Sequence, residues 1–236
     1  MELIPDVLAW LTDPANWQGT NGIPNRTWQH VGYSSSAILG ALLIALPIGL
    51  WVGHTGRGGA LAINVANVGR AVPSFGIIIL MVVLAGLGFL PVLVALVAFA
   101  IPPILTNTYT GIRGVDPRMR EAAEGMGMRP MQVLFRVEIP VALPLIMAGV
   151  RTSAVQVVAT AAIAAFPGLG GLGRYIINGF AVQDLVQMVS GAVLIALLAV
   201  AVEGLLALVQ GLVVSEGVAP TDSKVVAAAK STSAAA

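Results

Sequence analysis

The chain has 236 residues, of which 57% are hydrophobic and only 10% charged, with 12 Lys and Arg against 11 Asp and Glu and a mean hydropathy of +0.91. A water-soluble domain carries roughly a quarter of its residues as charged groups, so this composition excludes a soluble globule and implies an all-α chain facing lipid. The net charge of +1, the lack of cysteine and a total of only two histidines further exclude nucleic-acid binding through a basic surface, thiol chemistry and a His- or Cys-rich metal centre.

Residues 1–30 place Ile4, Val7, Leu8 and Leu11 at helical spacing, with Trp10, Trp17 and Trp28 suited to a headgroup layer. That pattern predicts an amphipathic surface helix outside the cytoplasm. A crossing helix needs about 20 mainly apolar residues, so the distances between charges locate the crossings. No Asp, Glu, Lys or Arg occurs at 27–56, 71–112, 152–173 or 185–202. The second of these gaps is interrupted by Pro91 and is long enough for two helices. Five spans are therefore expected at about 31–53, 73–89, 92–111, 144–166 and 186–214. With the N-terminus outside, the inner segments hold Arg57, Arg70, Arg113, Arg118, Arg120, Arg129, Arg136, Lys224 and Lys230, against Arg26 and Arg174 outside. Lys and Arg favour cytoplasmic loops, which predicts that orientation. The domain plan is then 1–30 as an extracytoplasmic segment, 31–214 as the membrane domain and 215–236, small and Ala-rich, as a disordered cytoplasmic tail.

One long inner loop, 113–143, lies between the third and fourth expected spans. Asp116 and Pro117 form a helix start, as N-cap and first-turn proline, with Glu121 and Glu124 early in the helix. Gly125 and Gly127 predict an interruption, with a second short helix over Met128–Val137 at a new angle. Met126, Met128 and Met131 give this bend an adaptable apolar surface suited to a protein contact or to the bilayer.

Glu121-Ala122-Ala123, then Gly127, then Val137-Glu138-Ile139-Pro140 resembles the EAA motif of the membrane subunits of binding-protein-dependent ABC importers. The likeness extends over roughly residues 30–214. Pro73-Ser74 and Pro102-Pro103 followed by Asn107-Thr108-Tyr109-Thr110-Gly111-Ile112 resemble the branch that imports glycine betaine, choline or carnitine. Thr106 departs from that branch, which usually has Arg at this point. The resemblance implies a type I ABC importer permease arrangement of five core helices, with the N-terminus outside and a cytoplasmic coupling helix in the inner loop. In that loop Glu121, Ala122, Ala123, Gly127 and Pro140 would meet the ATPase. It also implies a bacterial cytoplasmic membrane location, ATPase subunits, a second permease subunit, identical or not, and an extracytoplasmic substrate-binding protein. This chain would then bind no cofactor, ATP and Mg belonging to the ATPase, and would hold no catalytic residue.

Gly168-Leu169-Gly170-Gly171-Leu172-Gly173 satisfies a dinucleotide-binding pattern, but it follows an uncharged helix rather than a strand and reads as a tight outer turn. Arg151 and Glu203 lie at matching depths in the fourth and fifth expected spans. A charge near mid-bilayer costs on the order of 2.5–3.5 kcal/mol, which favours their pairing, the alternative being separate snorkelling to the inner headgroups. Polar side chains on apolar helices mark a translocation path or contacts between helices: Asn107, Thr108 and Tyr109 on the third, Ser153, Gln156 and Thr160 on the fourth. Tyr109 and Phe166 are the aromatic faces by position for a quaternary ammonium group. The competing functions are a permease for another small solute, an amino acid or an oxyanion, and a carrier driven by an ion gradient. The latter would show inverted repeats or mid-membrane acids in matching halves.

Overall fold

A computed structural model describes residues 2–71 and 73–214, which form helices joined by turns, with no strand among the described residues. The segment 215–236, expected to be a disordered tail and holding Lys224 and Lys230, lies outside the described residues, as does the side chain of Arg70.

Helix α1, Leu3–Thr12, buries Val7 and packs against the last helix among the described residues, α10, Leu185–Val213. A short 3₁₀ turn, Pro14–Trp17, follows, capped by the Asp13 carboxylate, which accepts from Ala15 N. Helix α2 then runs over Ile23–Thr55, starting eight residues before the expected span. Arg26 does not prevent this early start because its guanidinium is satisfied locally, by Gln29 Oε1 at 3.0 Å and Asn21 Oδ1 at 2.5 Å. Gly22, in extended conformation, and Pro24 set the start instead.

After α2 come α3, Gly59–Ala71, and α4, Ser74–Ala85, both packed on α5, Phe89–Arg113. The second expected span, 73–89, is thus a 12-residue helix of about 18 Å, against a hydrocarbon core of about 30 Å. Pro73 precedes its first turn and Gly86, at φ +85°, ends it. Four helical stretches among the described residues are long and apolar enough to cross a membrane: Ile23–Thr55, Phe89–Arg113, Pro130–Ala165 and Leu185–Val213.

Between α5 and the third of these stretches lies α6, Pro117–Gly125. The 36 residues Pro130–Ala165 follow, comprising α7, Pro130–Val133, a π-helical turn, Leu134–Glu138, α8, Ile139–Thr160, and a 3₁₀ turn, Ala161–Ala165. The second half of the expected loop is therefore not a separate short helix but the beginning of the helical run that holds the expected fourth span. Proline explains the local form. Pro140 lacks an N–H and its ring would crowd the carbonyl four residues back, whereas the π turn closes with Ile139 N donating to Leu134 O and widens the ladder just before it. A short helix, α9, Gly173–Val182, was not expected from the charge spacing; it packs against α10.

The core is built by small residues. Along α2, Ala37, Ala41, Ala45, Gly49 and Gly53 recur every four residues and are buried. This seam lets α5 approach closely: a Cβ at Gly49 would stand 2.8 Å from Thr108 Cβ, and one at Gly53 2.7 Å from Ile112 Cβ. Close backbone approach through small residues is how helices associate in lipid, where burial from water supplies little drive. α5 is the hub, contacting α2, α3, α4 and α8.

Candidate functional site

Asp116 begins the inner loop as expected, its carboxylate accepting from Arg118 N at 2.9 Å, with Pro117 at the first helical position. At the other end of α6, Gly127 adopts φ +84°, Gly127 N donates to Glu124 O at 2.8 Å and Met128 N to Ala123 O at 3.1 Å. These two bonds are a Schellman closure, which needs a left-handed residue at its centre. Gly127 makes the turn, and Gly125 remains the last residue of the helix. The alanine pair is divided: Ala123 is buried against the chain itself, while Glu121, Ala122 and Glu124 face outward. Met119, Met126, Met131 and Phe135 are exposed around them, forming an apolar face at this end of the bundle. Pro140 is exposed beyond the π turn.

An acid that the sequence reading left unassigned lies beneath this face. Glu138 is 1% exposed; its Oε2 is 2.7 Å from His54 Nδ1 and its Oε1 2.9 Å from Arg120 Nε. The His54 contact has hydrogen-bond geometry, whereas the Arg120 Nε contact is electrostatic rather than aligned. Arg120 also donates from its guanidinium to Ile112 O. The only hint in the sequence was an acid set between Val137 and Ile139, since its partners lie 18 and 84 positions away.

A second feature is an open cavity of about 990 Å³, lined by Pro103 and Asn107 of α5, Ala148, Arg151, Thr152, Val155, Gln156 and Ala159 of α8 and Glu203 of α10. The α8 residues recur at three- and four-residue steps, one face of a helix. Arg151 Nε donates to Glu203 Oε1 at 3.0 Å, Nη2 donates to the same oxygen, and Nη1 donates to Gln210 Oε1 at 2.7 Å. The structure thus places Arg151 and Glu203 side by side and adds Gln210 as a third member.

Of the polar residues considered for a path, Asn107 and Gln156 line this cavity. Ser153 is fully buried and donates to Ala100 O at 2.9 Å, tying α8 to α5. Thr108 is fully buried against Gly49. Tyr109 lies beside Gly59 of α3, and Thr160 ends α8; neither lines the cavity. Phe166 packs edge-to-face on Phe75 at 5.3 Å, in a separate apolar pocket of about 290 Å³. The cavity wall therefore offers charge and amide groups, with no aromatic face.

The glycine-rich stretch is a tight turn, with Gly168 at φ +96° and Gly171 at φ +86°, pinned where Gly171 N donates to Gln29 Oε1 at 2.9 Å.

Because both members of the Arg151–Glu203 pair are partly exposed, at 28% and 39%, its coupling is expected near the lower end of the usual range, about 1 kcal/mol. Arg151→Glu and Glu203→Arg should each lower thermal stability in detergent, and the double exchange should recover part of the loss. Simple addition of the two losses would show that the pair contributes nothing.

Residues 45–215 match the family model described as the inner membrane component of binding-protein-dependent transport systems. The chain is 37% identical over 193 residues, 81% of its length and 89% of the relative's, to the choline transport system permease protein OpuBB of Bacillus subtilis. It is 39% identical to the carnitine transport permease protein OpuCB of Listeria monocytogenes, over 75% of this chain and 82% of that one. To the osmoprotectant import permease protein OsmW of Salmonella typhimurium it is 32% identical, over 90% and 99%. Among solved structures, an inward-facing MetNI methionine ABC transporter chain superposes with a TM-score of 0.72 at 20% identity, covering 86% of this chain and all of that one. That likeness bears on the fold alone.

Proposed function

Because the chain belongs to the family of binding-protein-dependent transport inner membrane components, we propose that it is the permease subunit of an ATP-driven importer for a small osmoprotectant such as choline, carnitine or glycine betaine. ATP is hydrolysed on separate subunits, so this chain is a transport component and not an enzyme. The observation that carries the reading is the inner loop: a short capped helix turned at Gly127, presenting Glu121, Ala122 and exposed methionines away from the bundle. A surface of that kind suits a protein partner. We place the loop in the cytoplasm and the N-terminus outside, on the distribution of Lys and Arg, in a bacterial cytoplasmic membrane.

A second permease subunit would close the open cavity against its own, making a central path walled by Asn107, Gln156 and the Arg151–Glu203 pair. That wall lacks aromatic faces for a quaternary ammonium group, so selection falls to the external binding protein. Closure of the ATPases on ATP would shift α6 and alternate the access of the cavity.

The test is reconstitution in liposomes with the ATPase and binding protein that co-purify with this chain, measuring uptake of labelled choline, carnitine and glycine betaine. Uptake should require ATP and both partners. Uptake driven by an ion gradient without the ATPase would overturn the reading in favour of a secondary carrier, and ATP-driven uptake of a different solute would overturn the substrate.

A further inference from the structure

The buried acid under the inner loop joins three elements that the transport reading needs to move together. Glu138 sits in the π turn at the inner end of the fourth span, His54 on the last turn of α2 and Arg120 on α6, one residue before Glu121. Arg120 also holds Ile112 O, on the last turn of α5, and Ile112 is the residue against which Gly53 of α2 packs. Both Glu138 oxygens are engaged. Apart from the Arg151–Glu203 pair, no other ion pair occurs among the described residues.

α6 touches the rest of the fold mainly through α7 and the π turn, and a helix of nine residues has little area with which to drag its neighbours. A carboxylate removed from water is costly unless its partners stay in place. Pulling Arg120 away from Glu138 leaves the buried carboxylate with His54 as its one remaining partner, so a shift of α6 alone is penalised. We propose that Glu138, gripped by His54 and Arg120, is a positioning residue that ties the coupling helix to the inner ends of α2 and α5, so that displacement of α6 is transmitted to the spans. This rests on the importer reading and deepens it.

The test uses the complete reconstituted importer, comparing Glu138→Gln and Arg120→Lys with the parent chain and measuring uptake and ATP hydrolysis on the same vesicles. Glu138→Gln keeps the shape and loses the charge. Coupling between distant sites is typically worth 5–150-fold, so uptake per ATP hydrolysed should fall by about tenfold. Arg120→Lys, which keeps the charge and loses the forked geometry, should fall less. A purely structural role predicts that uptake and hydrolysis fall together, in proportion to the complex recovered, and that result overturns the proposal, as does an unchanged ratio in either variant. Where Glu138→Gln yields no complex, Arg120→Lys and His54→Gln approach the same carboxylate from its two partners, and an unchanged ratio in both overturns the proposal. ATP-independent uptake by the parent chain is a separate outcome, and it would sink the importer reading itself.

Discussion

Valine in place of Gly127 is expected to abolish solute uptake, by more than about tenfold, while leaving the chain inserted in the membrane. The backbone at 127 has φ +84°, and a Cβ built there meets nothing within 4 Å. The penalty is thus conformational and local, roughly 1–2 kcal/mol for any side chain in a left-handed conformation and more for a β-branched one. The cheapest relief is to open the Schellman closure, which releases Met128 N from Ala123 O and changes the angle at which α6 leaves the chain. No buried contact is lost, so insertion and helix packing should survive. Asparagine, which tolerates the left-handed region, should retain most uptake, alanine should be intermediate and valine lowest. Uptake assays on the three variants check that order, and equal activity for asparagine and valine would show that the turn is not what matters.

Leucine in place of Gly53 acts on stability instead. A Cβ there would stand 2.7 Å from Ile112 Cβ and 3.4 Å from Tyr109 O, and backbone cannot rotate out of the way. α2 and α5 must separate, and overpacking of this kind costs about 1–3 kcal/mol, a fall in Tm of roughly 2–12 °C in detergent for a chain of this length. Gly32 supplies the control on the same helix, because it is exposed and nothing lies within 4 Å of its Cβ position. Gly32→Ala should be neutral or raise Tm slightly, since alanine is the better helix former. Equal losses at 32 and 53 would refute the close-approach account of the α2–α5 seam.

Charge spacing read some elements closely and others poorly, for identifiable reasons. α10, Leu185–Val213, falls within a residue of its expected bounds because Asp184 caps it, accepting from Gln187 N at 3.0 Å. α2 begins early because the Arg26 guanidinium donates to side-chain amides a few residues away, which a count of charges cannot register. α3 and α9 escaped because each is short and carries polar residues, such as Asn64 in one and Arg174 and Asn178 in the other. The loop start and the turn at Gly127 were legible since capping chemistry is local. Matching depth sufficed to put Arg151 beside Glu203. Which way Ser153 and Thr108 point was not legible: both are polar positions on apolar helices, and only the packed neighbours Ala100 and Gly49 decide that they face protein rather than the cavity.

The run Pro130–Ala165 passes from beside the exposed inner loop to the outer turn without leaving helix, and at 1.5 Å per residue it is about 54 Å long. The stretch that exposes Met131 and Phe135 and the strip that carries Arg151 and Gln156 thus belong to one rod. Pivoting such a rod by roughly 5° about one end sweeps the other through about 5 Å, nearly a helical turn. A slight tilt at one end of the rod thus becomes a displacement of several ångströms at the other by length alone.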